Sequence, residues 1–429
     1  MKKALVLAGG GTRGIYQAGV IEALKELGED DWNIITGTSV GALNACMLVQ
    51  HDFDRMIEMY ENIAPDQFVN GFVPSDMHLS SLFKERDQVI PSFKQWVQQH
   101  GVDIRPLEQM IDEYYIPERF FASDIDFGCI AATAKGHEPV YVTKDMMRDK
   151  GHDWLLATSA AYPVFPMKEI DGVEYVDGGY FDNFPVDFAL RLGARRVIAI
   201  DLSFNPQHPN YLDRYPVVYI HPHEELFRFL DFDHEKMRHA RVIGYNDAMK
   251  AYGRYVGEKY TFLPFELDEY FDEWYCSLMM LETKIKLASD INERFLSQDV
   301  ISKRLRNQLH VSHLTREQYF YGIVDVIMEM CGLDDEKVWD IRDVQKLVVA
   351  EFAECVEEDY AYIPQGVLDI ASYIRTLDQK GIVGKLLHAY LYPEHRVFSD
   401  HLILSVYPFE EALAEAVVMA MKQIAKVKI

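Results

Sequence analysis

The chain has 429 residues, 49% of them hydrophobic, which is more than one typical domain needs and ample for a large packed core. With 68 acidic against 43 basic side chains the formal net charge is −25, which excludes nucleic acid and a strongly anionic bilayer as nonspecific partners. Zwitterionic lipids and neutral esters stay open, as do transient contact with a membrane surface and homo-oligomerisation. Five cysteines are an odd number, and Cys46 and Cys129 lie in apolar runs, so a reducing, cytoplasmic setting is expected rather than a disulfide framework.

In chain order, Ala4 to Ala8 read as a buried parallel strand. Lys2 and Lys3 before ALVLAGG imitate a short signal peptide, but the apolar run ends in glycines and meets Arg13, so a strand is the expectation. No uninterrupted apolar run has the length to span a bilayer. Gly9, Gly10 and Gly11 let the backbone approach whatever sits above the sheet edge, and a helix follows from about Arg13 to Gly28. The unpaired N–H groups of its first turn suit an anion. WNIITGTSVGALNACMLVQ then gives a second strand, a turn with Ser39 at its apex between Gly37 and Gly41, and an apolar helix buried on nearly all sides. From Asp52 to Tyr115 the chain reads as helices and loops, and its aromatic stretch DQFVNGFVPSDM reads as a surface loop.

Strands return at DFGCIAAT and PVYVT, followed by a helix over DWLLATSAAYPVFP closed by Pro163 and Pro166. A short strand delivers Asp177 into a Gly178-Gly179 turn, a helix runs from Pro185 to Leu192, and RVIAIDLS and VVYIHP are further strands before a helix from His234 to Tyr252. This alternation predicts a mostly parallel sheet with helices on both faces. Beyond Tyr260 the chain becomes acidic and mainly helical, with a capping-box start at Thr315 and Gln318. That region reads as a separate unit.

A serine hydroxyl attacks an acyl carbon only when a base takes its proton and donors await the developing oxyanion. Ser39 supplies the hydroxyl, and the N–H groups of Gly10, Gly11 and Thr12 are the expected donors, since the first strand should lie beside the strand that carries Ser39. Arg13 either holds that loop or meets a lipid phosphate. Asp177 is the expected base, because a carboxylate on a tight turn at a strand end gains basicity from partial desolvation. Taken singly, a G-x-S-x-G pattern, an Asp-Gly-Gly turn and an arginine are each common without any such role.

In that order and spacing, GGGTRG, GTSVG and DGG resemble the oxyanion loop, nucleophile elbow and catalytic aspartate of the patatin-like phospholipase family, particularly its bacterial members. ATSAAYPVFP followed by DGGYFDNFPV also resembles the family's approach to its aspartate. The resemblance covers residues 1–257, with Gly9, Gly14, Gly37, Gly41, Gly178 and Gly179 in supporting places, and leaves 258–429 outside as a mainly α-helical domain of unassigned role. It implies an acyl-ester hydrolase with a Ser39/Asp177 dyad, without histidine, metal or cofactor, on a three-layer α/β/α fold; the substrate would be a fatty-acyl ester, phospholipid or lysophospholipid. Ala8 stands where many members carry an acidic residue.

Three other readings compete. Gly9, Gly11 and Gly14 satisfy G-x-G-x-x-G, with Asp30 or Asp31 downstream, as a Rossmann nucleotide-binding enzyme requires, although this leaves GTSVG and DGG without a role. A conventional Ser-Asp-His hydrolase would recruit His221 or His223, and an interaction scaffold would put the weight on the acidic helical half. The histidines of HEKMRH lie about 140° apart around a helix and cannot share a metal as HExxH does.

Overall fold

The computed structural model describes residues 1–64, 104–212, 214–288, 300–357, 377–392 and 406–427, which divide into two compact units, Met1–Tyr252 and Gly253–Ile429. The boundary expected at 257/258 falls instead at 252/253. The reason is local: Val256 and Phe262 exchange two backbone hydrogen bonds, of 3.0 and 2.8 Å, and so tie the preceding residues to the second unit. The stretch DQFVNGFVPSDM lies outside the described residues.

The first unit begins with β1 (Lys3–Leu7), a 3-10 turn (Gly11–Arg13), α1 (Gly14–Glu26), β2 (Ile34–Gly37), α2 (Val40–Val49) and α3 (Phe53–Asn62). After α4 (Arg105–Tyr114) and α5 (Pro117–Ala122) come β3 (Asp126–Thr133), β4 (Pro139–Thr143), α6 (Met147–Thr158), β5 (Lys168–Ile170) and β6 (Val173–Asp177). It closes with α7 (Val186–Arg191), β7 (Arg196–Ile200), β8 (Val217–Ile220) and α8 (His234–Ala251). The sheet order is β5-β6-β3-β2-β1-β7-β8, with β4 also on β3. The central pairs β3-β2, β2-β1, β1-β7 and β7-β8 are parallel, whereas β4, β5 and β6 add antiparallel pairs at one side.

Every residue of β1 and β2 is buried, which is why neither shows an apolar alternation: both faces are covered. Adjacent residues of β2 show what covers them. Thr36 donates its hydroxyl to Pro185 O, just before α7, while a Cβ on Gly37 would meet Gly41 of α2. Successive strand residues face opposite ways, so α7 and α2 lie on opposite faces and the unit is a three-layer α/β/α fold. Helix α1 packs along α8.

Two elements depart from the sequence expectation. Helix α6 stops at Thr158 rather than at the prolines, and the Ala160 carbonyl beyond it accepts instead from Asp177 N–H at 2.9 Å. The short strand β5, which pairs with β6, was not expected.

The second unit holds β9 (Thr261–Phe262), α9 (Asp268–Ala288), α10 (Val300–Leu309), α11 (Arg316–Met330), β10 (Val338–Trp339), α12 (Ile341–Glu357), α13 (Gln379–Leu391) and α14 (Pro408–Val427). Phe262, Leu278, Leu305, Ile323, Phe352, Leu387 and Leu413 are fully buried in one apolar cluster. Thr315 and Gln318 form the capping box that starts α11.

Candidate active site

The register of β3 brings two distant segments together. Strand β4 pairs with β3 over Gly128–Ala132, overlapping the stretches used by β2 (Asp126–Cys129) and by β6 (Ala131–Thr133). A strand has two edges, so β2 and β6 share the edge that β4 leaves and meet end to end. Gly37 ends β2 opposite Cys129, and Asp177 ends β6 opposite Ala131. Those two partners stand two residues apart on β3, about 6.8 Å. The contact is close enough that a Cβ on Gly178 would lie 2.9 Å from Thr38 Cγ2.

Ser39 stands where β2 turns into α2, with φ 56° and ψ −130°, a conformation that a non-glycine residue adopts only when its surroundings impose it. Those surroundings are the flanking glycines. A Cβ on Gly37 would lie 2.3 Å from Gly41 O, and one on Gly41 would lie 2.3 Å from Leu7 O, so only glycine admits this turn. The Ser39 N–H is held by Thr158 Oγ1 at 3.1 Å, and that hydroxyl donates to Ile130 O at 2.6 Å.

Asp177 is 1% exposed. Its Oδ1 accepts from Gly179 N–H at 2.7 Å, whereas Oδ2 is buried with no partner of ordinary hydrogen-bond geometry among the described residues. Burial pushes the carboxyl up to about 7 against the opposing pull of the Gly179 N–H and the nearby Ser39 hydroxyl. A carboxylate oxygen with basicity near neutrality thus sits beside a strained serine.

The glycine loop abuts the same point, since a Cβ on Gly9 would lie 3.1 Å from Ser39 Cβ. Of the three expected donors, Thr12 drops out: its N–H is already given to Phe229 O at 2.8 Å, and its hydroxyl to Phe229 O and Asp231 O at 3.1 and 2.8 Å. Among the described residues the N–H groups of Gly10 and Gly11 have no acceptor. Gly11 takes φ 61° and presses so closely on Phe229 O that a Cβ there would lie 1.9 Å from it. Arg13 donates from Nε to Gly10 O at 3.1 Å; burial lowers its pKa, against the opposing charges of Asp201 and Glu225. Gly14 opens α1 and accepts from Asn44 Nδ2 at 3.2 Å.

The competing residues lie elsewhere. His223 Nδ1 contacts Asp247 Oδ1 at 2.9 Å, and burial with the neighbouring His223 charge pulls His221 down to about 4. Both follow β8, which β7 and β1 separate from β2, a lateral distance of about 14 Å at ordinary strand spacing. Asp31 is bonded to Lys3 at the start of β1, whereas the glycine loop follows its end, so Asp31 does not stand where a ribose would require it. Sequence reasoning gave no role to Thr158 and Ala160, the braces on Ser39 and Asp177; the one signal was ATSAAYPVFP preceding the aspartate.

A family model described as patatin-like phospholipase matches residues 5–190. Patatin-like phospholipase domain-containing protein 7 of Rattus norvegicus is 28% identical over 206 residues, covering 47% of this chain and 13% of the relative. Lysophospholipase NTE1 of Mycosarcoma maydis is 28% identical over 207 residues, covering 47% of this chain and 10% of the relative. The chain therefore spans only a small part of the length of these relatives. Among solved structures, the crystal structure of VipD from Legionella pneumophila is similar at 14% identity and a TM-score of 0.39, over 97% of this chain and 91% of that one. Among the described residues no helix is long and apolar enough to cross a membrane.

Proposed function

From a chain whose residues 5–190 belong to the patatin-like phospholipase family, we propose a lipid acyl hydrolase in which Ser39 is the nucleophile and Asp177 the base. The observation that carries this reading is the buried Asp177 carboxyl, raised to about 7 beside the strained Ser39 elbow. Above that pH the carboxylate accepts the Ser39 proton as Oγ attacks the ester carbonyl, and the carbonyl oxygen takes the negative charge of the tetrahedral intermediate. The Gly10 and Gly11 N–H groups stabilise that charge. Collapse of the intermediate breaks the ester bond, and the protonated Asp177 gives its proton to the leaving alcohol. Water then attacks the acyl-serine, passing its proton to Asp177, and the second collapse returns a proton to Ser39 Oγ and frees the fatty acid. Each step uses side chains, backbone amides and water of a cytoplasmic enzyme acting on a fatty-acyl ester, phospholipid or lysophospholipid.

The test is turnover of short p-nitrophenyl esters by the full chain, together with labelling by a fluorophosphonate probe. Ser39→Ala should abolish both, and peptide mapping should place the label on Ser39. Asp177→Asn should remove turnover by about a thousandfold or more. Persisting turnover in either variant would refute the dyad.

A further inference from the structure

Two side chains, Asn183 and Arg13, grip from outside the glycine loop that would bind the oxyanion. We propose that Asn183 is a positioning residue that aims the Gly10 N–H at the reacting carbonyl, with Arg13 doing the same for Gly11; this rests on the hydrolase reading above. Asn183 lies in the turn that follows Asp177, and it holds Gly9 twice. Its backbone carbonyl accepts from Gly9 N–H at 3.0 Å, and its Nδ2 donates to Gly9 O at 3.0 Å. The same Nδ2 donates to Gln207 Oε1 at 3.1 Å. Two acceptors facing one end of the amide fix that end as the NH2 group. Oδ1 is therefore turned inward, where it is buried without a partner among the described residues.

Peptide planarity converts this grip into aim. The carbonyl of Gly9 and the N–H of Gly10 belong to one trans peptide plane and point in opposite directions, so a side chain that fixes the first fixes the second. The next plane is treated alike, because Arg13 Nε holds Gly10 O and thereby sets the direction of the Gly11 N–H. Each free donor of the loop thus has its own side chain behind it. The clamp is anchored in the sheet: Gln207 donates to Asp201 from N–H at 2.8 Å and from Nε2 at 2.5 Å, and Asp201 follows β7 fully buried. The neighbouring Asp182 carbonyl accepts from Thr38 Oγ1 at 3.0 Å. The turn from Asp177 to Asn183 therefore ties base, elbow and donor loop into one frame.

Asn183→Asp keeps the shape but replaces the donor by an acceptor facing Gly9 O. It should lower kcat about a hundredfold, the loss typical of one misdirected oxyanion donor, with KM within about threefold of wild type. The rise of activity through pH 7 should persist, because Asp177 is untouched. Phosphonylation by the fluorophosphonate probe, which builds an oxygen in the same cradle, should slow in parallel. Gln207→Ala leaves Asn183 in place but removes its buttress, and should cost about tenfold in kcat even if Asn183→Asp proves too unstable to assay. A kcat within threefold of wild type in both variants overturns the proposal, as does a loss carried by KM alone or one that abolishes the limb near pH 7. Wild-type protein without turnover or labelling overturns the hydrolase reading and this role with it, whereas an active wild type with indifferent variants overturns this role alone.

Discussion

Two buried aspartates, one in each unit, are held in opposite ways. Asp325 in α11 is 1% exposed and gives both oxygens to backbone donors, accepting from Lys259 N–H at 3.0 Å and from Tyr260 N–H at 3.3 Å. Asp177 is equally buried but commits one oxygen to a backbone donor and leaves the other, beside the Ser39 hydroxyl, with no partner of ordinary hydrogen-bond geometry among the described residues. A fully committed carboxylate holds a loop in place; a half-committed one, raised toward neutrality, has the basicity that the proposed role of Asp177 requires.

The contrast is broken most strongly at Asp177. Asp177→Asn should lose turnover by about a thousandfold or more and yet gain stability at pH 8. The sign follows from the two states: an unfolded carboxyl ionises near 3.8, the folded one near 7, so between these values the unfolded chain releases a proton that the native state retains. Stability present below pH 4 is lost as pH rises to 7 and is constant above, by up to about 4 kcal/mol at 1.4 kcal/mol per unit. The asparagine variant lacks this loss, so melting curves of the two proteins should coincide near pH 4 and separate by pH 7. Wild-type kcat/KM should rise with pH through about 7, and a limb near 4 would show that burial does not raise the Asp177 carboxyl in the working enzyme.

At Asp325 the same substitution should act in reverse. Asn offers one acceptor oxygen and turns an amide toward the second N–H, which costs about 1.5–3 kcal/mol for a hydrogen bond to a charged group. Calorimetry should show the transition of the second unit shifted down, with no stability gained at alkaline pH. A neutral outcome would mean that the two carboxylates are not used differently.

How much of this was legible beforehand depends on how far each interaction reaches along the chain. The elbow was legible because Gly37, Ser39 and Gly41 lie within one turn and their spacing is itself the steric requirement. Asp177 was legible as a strand-end carboxylate before two glycines. Thr12 was misassigned because what removes it, the Phe229 carbonyl, lies far along the chain and is a backbone group that leaves no mark in the pattern. Asn183 and Thr158 went unseen for the same reason: each acts on the backbone of a distant segment, through a residue type that is common in any turn or helix end. The early end of α6 likewise reflects a tertiary bond to Asp177 rather than the prolines alone.

Thr158 gives a subtler test of the first unit's frame. Thr158→Val preserves shape but strips the hydroxyl from between Ser39 N–H and Ile130 O, leaving a buried donor unsatisfied at a cost of about 1–3 kcal/mol. Part of that cost should appear as relaxation of the strained Ser39 backbone, so kcat should fall with little change in KM. Equal losses of stability and unaltered kcat would assign Thr158 to packing alone.

The smallest expected effect lies in the second unit, at a helix start whose logic is entirely local. Thr315 Oγ1 accepts from Gln318 N–H at 3.1 Å while Gln318 Oε1 accepts from Thr315 N–H at 3.2 Å, so two donors that α11 cannot satisfy internally are paired at its first turn. Thr315→Ala removes one of these bonds and should cost about 1 kcal/mol. Because the box is exposed, water replaces the lost partner, and the loss should be nearly the same at pH 5 and pH 8, unlike the pH-dependent gap expected at Asp177. A pH-dependent loss at Thr315 would show that α11 is held by charge at its start, where Glu317 lies, rather than by the cap.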